Sequence, residues 1–257
     1  MDGLVICLAA FFASGLTLFS GFGLGTLLLP TFALFFPVPW AVAMTAVVHL
    51  LNNLFKLALL GRYARIPILL RFGIPALISA PMGAWVLVAL SNQTAIFTYR
   101  LGALERSVLP VKGVVALLMA CFALMEVLPR FKDLSFSPKY LPVGGILSGF
   151  FGGLSGHQGA FRSAFLAKCA LSKEGFLGTG VVIAILVDLA RIPVYAEHLR
   201  SAWAAEHAPL LWSATGSAFL GAWIGSRFLG RVTLRCIQRW VALLLFSIAA
   251  GLALGLI

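Results

Sequence analysis

Two glycine-rich stretches and a few polar side chains stand out against an otherwise apolar chain. The second stretch, Gly152-Gly-Leu-Ser-Gly-His-Gln-Gly159, carries His157 and Gln158 and is followed within two turns by Arg162. A guanidinium grips an oxyanion through parallel N–H donors, and His157 and Gln158 are placed to donate hydrogen bonds to the same ligand. The first stretch, Ser20-Gly-Phe-Gly-Leu-Gly-Thr26, supplies Gly21, Gly23 and Gly25. Backbone that unwinds there, and at Gly156, would present N–H groups at half-helix N-termini, which attract anions. Two other readings compete. Gly21/Gly25 and Gly152/Gly156 are GxxxG pairs suited to close helix packing, and a residue such as Arg162 can snorkel to a membrane surface. Matched breaks in both halves favour the anion reading.

A second group lies on apolar helices. His49, Asn52, Asn53 and Lys56 recur at three- to four-residue spacing and therefore share one helix face. Asn52 and Asn53 are assigned to closing the anion site. Asp188 is an acid inside a membrane segment and away from its ends, which makes it the first candidate for coupling to a proton or cation, with His49 second and Arg191 one turn on. The competing reading is polar glue between helices, with Asp188 and Arg191 forming a structural ion pair.

These side chains need a scaffold, and the composition says which solvent it meets. Of 257 residues, 61% are hydrophobic and 11% charged, and the mean hydropathy is +1.03. A soluble domain is roughly half apolar and about a quarter charged. Breaks at Pro, Gly and charge clusters leave eight apolar segments, near 3–36, 40–60, 67–90, 110–128, 141–169, 175–195, 208–227 and 238–257. Segments one and five are too long for one straight crossing and are glycine-rich at their centres, as expected of hairpins of two short helices. The expectation is an all-α integral membrane protein.

The chain also repeats. At an offset of 135, Ser20-Gly21 falls on Ser155-Gly156, Asn53 on Asp188 and Lys56 on Arg191. Ser79-Ala-Pro-Met-Gly-Ala-Trp85 matches Ser217-Ala-Phe-Leu-Gly-Ala-Trp223 at five of seven positions. The reading is two inverted repeats, 1–128 and 141–257, joined by a cytoplasmic linker at 129–140, each a broken glycine-rich hairpin plus three transmembrane helices. Charge agrees with returning hairpins. The net charge of +11 concentrates in four connections, which the positive-inside rule places in the cytoplasm, with both termini outside. That distribution marks loops beside a lipid bilayer rather than a nucleic-acid surface. Cys7, Cys121, Cys169 and Cys236 are scattered singly, so no metal or cofactor is expected.

Gly21-Phe-Gly-Leu-Gly-Thr-Leu-Leu-Leu-Pro30 and Gly144-Gly-Ile-Leu-Ser-Gly-Phe-Phe-Gly-Gly-Leu-Ser-Gly-His-Gln-Gly159 resemble the paired motifs of the TauE/SafE family of sulfite/sulfonate exporters. The resemblance runs along essentially the whole chain. It implies a bacterial inner-membrane carrier for a small sulfur-containing or carboxylate anion. Where the family often has a Gly-Gly-Gly cluster and a Pro, this chain has His157-Gln158-Gly159-Ala160 and Arg162. A passive anion channel is the alternative. An intramembrane serine protease, suggested by Gly153-Leu-Ser155-Gly, lacks the second histidine on a later helix that would activate the serine.

Overall fold

The computed structural model describes residues 2–20, 24–101, 104–128, 134–204, 207–227 and 234–256. The first half comprises α1 (Asp2–Ser20), α2 (Gly25–Ala33), α3 (Val38–Leu60), α4 (Ile66–Ser91), strands β1 (Phe97–Leu101) and β2 (Leu104–Val108), and α5 (Pro110–Val127). The second comprises α6 (Leu141–Ser155), α7 (Gly159–Leu166), α8 (Lys173–Arg191), α9 (Ala196–Ala204), α10 (Ala208–Arg227) and α11 (Leu234–Ala253). Val38–Tyr63, Ile66–Ser91 and Lys173–Trp203 are long and apolar enough to cross a membrane, and shorter apolar helices accompany them. The helical membrane architecture expected from the composition is therefore present.

Local chemistry accounts for the helix ends. Pro39 and Pro142 sit in the first turns of α3 and α6, where an amide hydrogen has no helical acceptor. Ser172 caps α8 by accepting the Gly175 N–H at 3.1 Å. Gly156 ends α6 at φ +76°, a left-handed conformation that a side chain would strain, and its N–H donates to the Gly152 carbonyl at 2.9 Å. Two features went unread in the sequence. A π turn interrupts α4 at Leu69–Gly73, and the loop after α4 folds into an antiparallel hairpin pairing Phe97 with Val108 and Tyr99 with Arg106. The alternation of that short loop was too brief to register against the helical pattern. Its Tyr99 hydroxyl and Arg106 guanidinium donate to the carbonyls of Leu254 and Leu256, fastening the hairpin to the end of α11.

The two halves interlock. α6 packs along α4 and α1 along α10, while α3 pairs with α8 and α5 with α11. Glycine sets the first two contacts. A side chain at Gly145, Gly149 or Gly153 would run into the backbone of Phe72, Ala76 or Ala80 on α4, and one at Gly221 into Phe11 on α1. In a bilayer, helices gain little by leaving lipid for one another, so such backbone approach supplies the packing energy. The glycine-packing reading thus holds for these positions, and also for Gly25 against Gly156, while Gly21 lies outside the described residues. Gly152 instead faces Gln158 and Val187.

Both hairpins return to the end they leave. The His207 ring touches Phe36 and Trp40, and Gly3 lies against Leu210, so the start of α1 and the exit of α2 share one end of the bundle. At the other end, the Phe136 N–H donates to the Ala164 carbonyl at 3.2 Å, joining the chain before α6 to the exit of α7. The Arg65 N–H donating to the Thr179 hydroxyl at 3.0 Å belongs to that same end.

Candidate functional site

The two helix breaks meet in the interior. A Cβ on Gly25, at the start of α2, would lie 2.9 Å from the Gly156 carbonyl oxygen, so the hairpins touch backbone to backbone. Thr45 of α3 borders the same point, its methyl 3.8 Å from that Cβ position. Gly21 and Gly23 lie outside the described residues.

Buried polar atoms without partners occur on the elements that meet here. Among the described residues, both amide atoms of Gln158, Nε2 of His157, the Thr45 hydroxyl and Nη1 of Arg162 have no hydrogen-bond partner. Gln158 is 0% exposed, Thr45 1% and His157 2%. An unsatisfied buried polar group costs about 1–3 kcal/mol, so a cluster of them marks a place where something else binds. Gln158 and Arg162 lie one turn apart and are linked through the backbone at 3.2 Å. Gln158 packs at Gly152, where Val187 of α8 also arrives, and Arg162 lies against Gly180 of α8. His157 turns toward α5, stacking on Phe122 at 5.0 Å with the rings nearly parallel. Its Nδ1 is 2.9 Å from the Ser155 carbonyl oxygen.

Gly180 stands 135 residues after Thr45, the offset that also separates Asn53 from Asp188. A Cβ there would sit 3.2 Å from the Arg162 Nε, so the missing side chain makes room for the guanidinium. Gly180→Ala is expected to leave thermal stability equal or higher, because alanine favours helix by up to ~1 kcal/mol. It should weaken anion affinity roughly 3- to 10-fold by displacing Arg162 a few tenths of an ångström. Isothermal titration beside a melting curve checks both halves of that expectation.

A second polar cluster adjoins the junction. Asp188 accepts from His49 Nδ1 at 2.5 Å through one oxygen and from Arg191 Nε at 2.9 Å through the other, with the Arg191 Nη2 at 2.7 Å. Arg191 also donates from Nη1 to the Gly152 carbonyl at 2.5 Å, and the Tyr195 hydroxyl donates to the Gly153 carbonyl. Asp188 and Arg191 are both fully buried. The structural ion pair weighed from the sequence is therefore present, and it clamps α8 to the end of α6 while bridging to α3.

Asn53 donates from its amide to the His49 carbonyl at 2.9 Å. Lys56 is buried and donates to the Thr17 hydroxyl at 2.7 Å and the Ser14 carbonyl at 3.3 Å. Asn52 lies beside Ser14. With its amide turned to satisfy both ends, it accepts from Lys56 at 3.1 Å and donates to the Ala218 carbonyl at 3.3 Å. Asn52 thus holds α1, α3 and α10 together, while Asn53 bonds to His49 within α3. Their hydrogen-bond partners are protein groups, unlike the open valences of Gln158. The offset that relates Lys56 to Arg191 also relates Thr17 to Gly152, so each cation reaches the equivalent place in the hairpin of its own half.

Thr45, Gly180 and Tyr195 were missed from sequence. A threonine or tyrosine in an apolar helix ordinarily bonds its own preceding turn or packs, so residue type gave no warning. The offset would have singled out the Thr45/Gly180 pair.

No curated protein and no solved structure matches the chain. The family model described as Sulfite exporter TauE/SafE matches residues 6–252, nearly the whole sequence, and the chain belongs to that family.

Proposed function

We propose that the protein is a secondary transporter that moves a small sulfur oxyanion or organosulfonate across the cytoplasmic membrane by alternating access. The family consists of transporters rather than enzymes, and membrane transport is the activity the chain shares with it. The observation that carries the finer reading is the set of unpartnered buried polar atoms around the second helix break. Among the described residues, Lys56 and Arg191 are buried cations against one buried acid, Asp188, and the half-buried Arg162 adds a third cation. That surplus suits an anion.

In this proposal Arg162, Gln158 and His157 bind the anion, together with the Gly25 and Gly156 backbone. Gly21 and Gly23 extend the first break, and Asn52 and Asn53 fix the helices that close it. His49 and Asp188, steadied by Arg191, form the coupling element for a proton or cation. Residues 1–128 and 141–257 are the inverted repeats, with both termini outside the cytoplasm. The interlocked pairing of helices and the hairpins returning to opposite ends of the bundle support this arrangement. Two halves so arranged can rock about a fixed central site.

Counterflow in proteoliposomes tests it. Vesicles loaded with unlabelled sulfite should accumulate labelled sulfite transiently above equilibrium. Sulfite passing down its gradient with no counterflow would replace the carrier with a channel. The absence of flux for sulfite, sulfonates and short carboxylates alike would remove the anion assignment.

A further inference from the structure

The unpartnered atoms at the junction are not all donors, and this restricts the ligand. His157 Nδ1 lies 2.9 Å from the Ser155 carbonyl oxygen, which can only accept, so Nδ1 carries the hydrogen. The Ser155 hydroxyl is itself donated to the Phe151 carbonyl at 3.2 Å and gives Nδ1 no competing donor. No carboxylate is paired with this ring among the described residues. The ring therefore presents Nε2 as a bare lone pair, buried and unpartnered. Gln158 has both amide atoms unpartnered, so whichever way the amide is turned it offers one donor group and one acceptor oxygen. Arg162, one turn on from Gln158 along the same helix, brings donors, with Nη1 unpartnered among the described residues.

A fully deprotonated oxyanion can satisfy the donors alone. Beside it the Gln158 oxygen and His157 Nε2 would remain orphaned, each at the cost of an unmade buried hydrogen bond. We infer that the site selects an oxyanion carrying its own hydrogen-bond donor, whose oxygens meet Arg162 and the Gln158 N–H while its donor meets Gln158 Oε1 or His157 Nε2. This rests on the anion-site reading above. Two chemical sources share the required group. One is a singly protonated inorganic anion such as hydrogen sulfite, and the other is a sulfonate with a hydroxyl on its carbon chain. Sites built to pair with a ligand hydroxyl reject the analogue lacking it far more strongly than apolar pockets reject size changes.

The test compares matched ligands on the purified full-length protein by isothermal titration. 2-Hydroxyethanesulfonate against ethanesulfonate isolates the hydroxyl at constant charge. Sulfite titrated below and above its second ionisation, with chloride as a control for pH, isolates the protonated inorganic form. The expectation is at least a tenfold preference for the donor-bearing member in one of these two arms, and which arm shows it names the source. In Gln158→Leu the preference should fall to threefold or less. His157→Phe, which keeps the stack on Phe122, provides the second variant should the first not fold. Equal affinity for both members in both arms would overturn the inference and leave the anion site standing. No binding of any of the four anions would overturn both.

Discussion

Asp188→Ala should destabilise the protein by about 3–5 kcal/mol, the usual cost of removing one partner from a buried ion pair. The reason lies in what stays behind. Arg191 would be left fully buried without its carboxylate partner, and His49 would lose the oxygen that Nδ1 reaches at 2.5 Å. Arg191→Ala should cost a similar amount, because it strands the carboxylate and frees the carbonyl at the end of α6. The informative variant converts the second half into a copy of the first. Asp188→Asn with Arg191→Lys reproduces the Asn53/Lys56 pair, in which a buried lysine is held by neutral oxygens. The double variant should be less destabilised than the sum of the singles, by ~0.5–3 kcal/mol of coupling. Thermal melts of the purified wild type, singles and double close that cycle. Strict additivity would show that Asp188 and Arg191 do not act as a unit.

The same variants separate structure from coupling. Asp188→Asn keeps a group able to accept from Arg191 but removes the charge beside His49. If this trio couples transport to a proton, uptake driven by a pH gradient should collapse in Asp188→Asn while counterflow without a gradient persists. Full retention of gradient dependence would leave the trio a purely structural clamp.

The particular residues show what a sequence can disclose here. Apolar runs interrupted by Pro, Gly and charge located the helices to within a few residues, because lipid forces backbone groups to bond within each segment. His49, Asp188, Arg191, Gln158 and Arg162 announced themselves because polar groups are costly at that depth. The role of each glycine was not legible. Gly145, Gly149 and Gly153 admit the backbone of α4, Gly156 takes a left-handed φ, and Gly180 makes room for Arg162. All look alike in a one-dimensional pattern, since what distinguishes them is a neighbour far away in the chain. Thr45 was hidden for the converse reason. Its hydroxyl matters through the partner it lacks, which only the packed structure exposes.

Arg162→Ala should weaken anion affinity roughly 10- to 150-fold while leaving the melting temperature of the empty protein within about 2 °C of wild type. The asymmetry follows from the arrangement around the guanidinium. Its Nη1 has no partner among the described residues, and it lies against Gly180. Little that holds the fold is therefore lost with it. Relief from burying an unpaired cation offsets the lost packing of its methylene stem. Binding stands to lose a charge-assisted hydrogen bond in a dry site, worth about 1.5–3 kcal/mol, or roughly 10- to 150-fold in affinity. Arg162→Lys should recover part of this, because charge survives while the planar pair of donors does not. This separates Arg162 from Arg191, whose loss is expected to lower stability first and binding only through it. Stabilisation by added anion, measured as a shift in melting temperature, reads the two apart. Wild type should shift upward, Arg162→Ala should start at the same temperature and shift far less, and Arg191→Ala should start low. An Arg162→Ala protein that shifts as far as wild type with sulfite or a sulfonate would move the anion away from the second helix break.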